Sequence, residues 1–178
     1  KNLNKFFEKY KLYYEFYQGL THLLQTTLFI EMPSIVKQNI LALTIINQGT
    51  PTFTALINQY QSFEAKTQQA LNSNKYGKRH SKIQKFIRYV IDSAQLCIKR
   101  EDIHEDLYIH ARETLYAFSC PQVQRTLVLL FHNSRVFRKI IKMLAIRVHD
   151  TFLVYTYFKS NAPLQADTMH QIDEIMNL

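Results

Sequence analysis

Residues 134–159 join the chain's most apolar run to a cluster of positive charge with no acidic counterpart, and any fold has to satisfy both. At 100° per residue, Arg135, Arg138, Lys139 and Lys142 fall within one narrow arc of a helix, while Val136, Ile140, Met143 and Leu144 lie away from it. From Met143 onward the pattern changes. Ile146, Val148, Phe152, Leu153, Val154, Tyr155 and Phe158 point in every direction, so a helix here has to be surrounded by other helices. Its second half is predicted at the centre of the core. Residues 151–158 are also rich in β-branched and aromatic side chains, but no partner strand is legible, and the stretch is read as helix.

Three glycines and four prolines are too few for a protein of many tight β-turns and suit long helices with short connections. The class predicted is all-α. With 178 residues the chain is long enough to bury a substantial core without metal or disulfide staples. The expected architecture is one helical domain over 1–178, a bundle of about seven to eight helices with long helices 3–32 and 134–159 central. A first residue that is Lys rather than Met reads as a fragment or processed piece of a larger protein.

The first helix, 3–32, carries Leu3, Phe6, Phe7, Tyr10, Tyr13, Tyr14, Tyr17, Leu24 and Leu28 on one broad face and Leu12, Phe16, Leu23 and Ile30 on the other. Two apolar rows predict burial on two sides, with Gly19 the weakest point. The same rows are compatible with a symmetric dimer without requiring one. Pro33 opens a second helix to about residue 47, and Gln48, Gly49, Thr50 and Pro51 form a stop-and-restart junction. A polar third helix, 51–71, should lie at the surface. Residues 72–81 read as a loop, with Ser81 capping a fourth helix to about residue 100 that buries Ile83, Ile87, Val90, Ile91, Ala94 and Ile98.

A fifth helix, 102–118, starts with Asp102, Glu105 and Asp106, which suits the positive end of its dipole. Pro121 opens a short sixth helix, and Asn133 or Ser134 caps the seventh, the long helix to residue 159. Pro163 ends the connection after it, before a last helix over 164–177. No uninterrupted apolar run is long enough to span a bilayer, and no secretory signal is present. Cys97 and Cys120 do not make a disulfide framework, so an intracellular setting, cytoplasmic or nuclear, is expected.

The formal charge of +8 is confined to two segments. One holds Lys75, Lys78, Arg79, Lys82, Lys85 and Arg88, the other Arg135, Arg138, Lys139, Lys142 and Arg147, and neither contains an acidic residue. Such localisation implies an anionic partner. Two partners fit: an acidic protein surface docked by a helical scaffold, or the phosphates of a nucleic acid. They differ in geometry, since phosphate binding requires the two segments to form one continuous patch, whereas a scaffold tolerates separate faces.

Cys97, His104, His110 and Cys120 are zinc-ligand types, but His104 and His110 are six apart and point about 120° from each other on one helix. No metal site is expected, and His104 is read as a packed core residue. His149 and Asp150 after an apolar run resemble the metal-binding dyad of HD-type phosphohydrolases. That resemblance covers two residues and implies an upstream histidine, His110 or His132, and a downstream aspartate, Asp167 or Asp173, at spacings that do not match. Asp150 is more simply a partner for Arg147. With no glycine-rich phosphate loop, nucleophile elbow or dinucleotide fingerprint, the expectation is a non-catalytic interaction domain without cofactor.

Overall fold

A computed structural model describes residues 2–26, 29, 53–73 and 77–153. Within them the chain is all-α, without a strand. Six helices follow one another: α1 Asn2–Gln25, α2 Phe53–Leu71, α3 Gly77–Ile98, α4 Glu105–Ser119, α5 Pro121–Asn133 and α6 Arg135–Val148. A single π turn, His149–Leu153, ends the described chain. The helices expected over 33–47 and 164–177, the junction at 48–51 and Lys75 lie outside the described residues. No described helix is long and apolar enough to cross a membrane.

The centre falls on α5, the short sixth helix of the sequence, rather than on the long helices expected over 3–32 and 134–159. Val123, Leu127, Leu130 and Phe131 are fully buried, and Thr126, Leu129 and His132 join them from its other sides. This helix touches α1, α2, α3, α4 and α6. A helix buried on nearly every side needs no great length to organise its neighbours. The most extensive pairing is α3 with α4, where Ala111, Thr114 and Ala117 let the backbones approach and Phe86 meets Phe118 edge to face at 6.2 Å. Phe29, Phe86, Phe118, Phe131, Phe137 and Phe152 are fully buried, each contributing about 1.5–3 kcal/mol of transfer free energy.

Short junctions keep these helices in register. Pro121 starts α5 at a position where a missing N–H costs nothing, and the Cys120 N–H still closes α4 on Ala117 O at 3.2 Å. The Ser134 hydroxyl accepts from Phe137 N at 3.0 Å and caps α6. Asn133 Nδ2 donates to Phe63 O, Thr67 Oγ1 and Leu129 O at 2.8–3.0 Å, tying α2 to the end of α5. Contrary to expectation, His104 is an exposed N-cap whose Nδ1 accepts from Asp106 N, and Asp102 pairs with Arg100 in the α3–α4 turn. Asp150 Oδ1 lies 3.1 Å from His149 Nδ1.

Three further expectations are corrected. The first helix stops at Gln25, where the Thr26 hydroxyl turns back to Leu23 O at 2.7 Å. Gly19 is not its weak point but its closest contact: a Cβ there would strike Thr126 Oγ1 and come within 2.7 Å of Gln122 O on α5. The outward row of α1 is exposed, including Leu3, Phe7, Tyr10, Tyr14 and Tyr17. α1 docks chiefly through Phe16, Gly19, Leu20 and Leu23, with Tyr13 and Leu24 half-buried at the margin of the contact, so neither of its two apolar rows is buried along its whole length.

The long helix of 134–159 is likewise one-sided through Val148. Phe137, Ile140, Ile141, Leu144, Ala145 and Val148 are buried, whereas Val136, Met143 and Ile146 are exposed. A regular helix would put Leu153 at the angle of Arg135, on the outer side. The wider π turn admits one extra residue, and Leu153 reaches the core at 2% exposure.

Candidate functional site

The cations singled out by sequence sit on two helices that pack against each other, α3 and α6. α3 starts at Gly77 rather than at Ser81, so Lys78 and Arg79 belong to its first turn instead of to a loop. Arg79 and Lys82 lie half-buried on the margin facing α6, with Lys78, Lys85 and Arg88 exposed beside them. On α6, Arg138 and Lys142 are half-buried one turn apart, and Arg135 and Lys139 project outward.

Electrostatics shows which side chains face one another. The Lys82 pKa is lowered, first by burial and then by the charges of Lys142, Lys78 and Lys85. That of Arg138 is lowered by burial and then by Arg79 and Arg135. Lys82 with Lys142, and Arg79 with Arg138, are thus like-charge neighbours across the α3–α6 seam. Arg79, Lys82, Arg138 and Lys142 share one basic face where the two segments adjoin. Arg138 is also anchored, donating from Nη1 to Phe131 O at 2.8 Å in the last turn of α5, where a cation suits the negative end of the dipole.

Beneath this face lies a histidine pair that sequence reading did not single out. His132, 9% exposed, stacks on His80 with ring centroids 5.6 Å apart, its Nε2 3.4 Å from His80 Nδ1. His80 was hidden by assigning residues 72–81 to a loop; extending the helix back to Gly77 carries it onto α5. Burial, His80, Arg79 and Arg138, in that order, push the His132 pKa down to about 4. The folded protein therefore holds His132 neutral, while the unfolded chain takes up a proton near pH 6.5. Stability from this group is full above that value and is lost as pH falls towards 4. Wild type should lose roughly 1–2 kcal/mol more than His132→Gln between pH 7 and 4.5, once solvent screening is allowed for. Urea denaturation of both proteins at the two pH values checks this.

Elsewhere the polar clusters are committed to structure. Arg125 of α5 bonds Glu64 and the Tyr60 hydroxyl of α2, and burial followed by Glu64 raises the Tyr60 pKa. Cys97 and Cys120 are free thiols, and burial pushes Cys97 up to about 11. Among the described residues no three His, Cys, Asp or Glu side chains come together as metal ligands. Comparison with known proteins finds no match, whether to a family model, a curated protein or a solved structure.

Proposed function

We propose that this chain is a non-catalytic helical interaction module whose fused basic face docks a polyanion, the phosphate backbone of a nucleic acid being the partner that face fits best. The observation that carries this reading is the meeting of Arg79 and Lys82 with Arg138 and Lys142 along one helix seam. Cations crowded along this seam repel one another in the free protein. A string of phosphates laid over them replaces like-charge with opposite-charge contacts and releases counterions. Continuity is what phosphate binding requires.

A second reading, docking of an acidic protein segment, is favoured by one observation. Val136, Met143 and Ile146 are exposed on α6 next to Lys139, and cations beside an apolar row suit an acidic amphipathic helix. Anisotropy with a labelled single-stranded RNA, a duplex DNA and an acidic peptide, across a salt series, separates the two. Nucleic acid should bind with a log–log salt slope of about −0.7 per phosphate contacted on a single strand. Lys82→Glu, Lys85→Glu, Arg138→Glu and Lys142→Glu combined should weaken it by roughly 100-fold or more. No nucleic-acid binding at low salt overturns the first reading, and binding of the peptide alone installs the second.

A further inference from the structure

The exposed row of α1 has a spacing that its docking on the bundle does not explain. Leu3, Phe7, Tyr10, Tyr14 and Tyr17 recur at alternating steps of four and three, a row that Thr21 continues. At 100° per residue the five fall within an arc of about 80°, centred about 150° round the helix from Phe16, Gly19, Leu20 and Leu23, which carry α1 onto α5. They are 37–67% exposed. A stripe this narrow at strict heptad spacing is the geometry of a coiled-coil seam, whereas a helix covering a globular core needs a broader face. Its rings are already ordered along the helix, Tyr10 stacked on Tyr14 at 6.0 Å and Tyr13 on Tyr17 at 6.4 Å. Tyrosines held in this way have little conformational entropy left to lose on contact.

We infer that α1 is a self-association surface, and that its occupant is the α1 stripe of a second copy of this chain. Area, charge and symmetry all bear on the choice. Four aromatic side chains and a leucine, about half exposed, offer roughly 500 Å² per copy, so a pair buries about 1,000 Å², the lower bound of a specific interface. Asn4, Lys11 and Gln18 flank the stripe with one cation among them, so two copies meet there without a line of like charge. The α3–α6 face, by contrast, would repel its own copy. Every copy carries the same seam, which a two-fold axis can pair with itself. Dimerisation would also place two basic faces on one particle and raise the avidity for a long polyanion, although the self-association does not depend on that binding.

Sedimentation of the whole chain from low micromolar to about 200 µM tests the inference, a range covering the weak end of interfaces this small. Mass should double with concentration. Phe7→Glu with Tyr14→Glu should remain monomeric at the top of the range, with helix content and urea midpoint near wild type, because both side chains are exposed in the monomer. Oxidative cross-linking gives a second reading that does not rely on a disruptive variant. Tyr10→Cys, on the stripe, should form a disulfide-linked dimer far faster than Lys5→Cys, on another side of the helix. A wild-type chain monomeric throughout overturns the proposal and leaves the stripe to an unlike partner. A dimer that survives the double substitution, or cross-links equally at both cysteines, overturns it as well.

Discussion

Gly19→Ala should lower the free energy of unfolding by about 2 kcal/mol, although alanine is the better helix former by nearly 1 kcal/mol. The new methyl would meet Thr126 Oγ1 and lie 2.7 Å from Gln122 O. A side chain can rotate away, but a backbone carbonyl inside a helix buried on nearly every side cannot. α1 would therefore have to lift from α5, weakening the packing of Phe16, Leu20 and Leu23 along the contact. The one Thr126 hydroxyl proton is shared between Gln122 O of its own helix at 2.9 Å and Phe16 O of α1 at 3.3 Å, the second contact linking the helices where they are closest. Thr126→Ala in the same chain should restore only part of the loss, because the carbonyl remains. Gly77→Ala is the control. Nothing lies within 4 Å of a Cβ there, and it should be neutral or stabilising by a few tenths of a kcal/mol. Urea midpoints of the four proteins decide the matter.

Lys82→Gln together with Lys142→Gln should move stability and binding in opposite directions. The Lys82 charge is disfavoured in the folded protein first by burial and then by Lys142, Lys78 and Lys85, so neutral amides at 82 and 142 remove a cost of about 0.5 kcal/mol after solvent screening and raise Tm by roughly 1–2 °C. The same change should weaken RNA binding by about 10- to 100-fold at low salt and reduce the salt slope by 1–2. Thermal melts and anisotropy on one preparation read both. Unchanged binding would place the contact elsewhere on the surface, and a lowered Tm would mean that these lysines support the fold. Stability gained together with binding lost would mean that these two charges serve a ligand rather than the fold.

Where local chemistry decided, the sequence was readable. Sparse glycine and proline implied helices, Pro121 and Ser134 marked two helix starts, and the apolar period of α3 picked out Ile83, Ile87, Val90 and Ala94. The list of cations was also legible, since charge clusters need no tertiary knowledge. What could not be read was which of two apolar rows meets the bundle. In α1 both have the right period, and the choice falls to Gly19 and its close approach to Gln122 and Thr126, on a helix more than one hundred positions away. The convergence of α3 with α6 is likewise long-range, as is the stacking of His80 on His132. The rank of α5 was also hidden, because the apolar positions of a short helix do not tell how many neighbours cover it.

The π turn after α6 has a consequence for how this chain tolerates length change. Wherever a helix is regular, losing one residue swings everything beyond it by about 100° and exchanges inside for outside. Residues 149–153 are different, since they already hold one more residue than an α-helix needs. Excising Thr151 would let the turn relax to ordinary α geometry, with Phe152 and Leu153 still directed inward. This segment is the slack in an otherwise taut register, the point where a one-residue deletion could be absorbed without re-aiming the core.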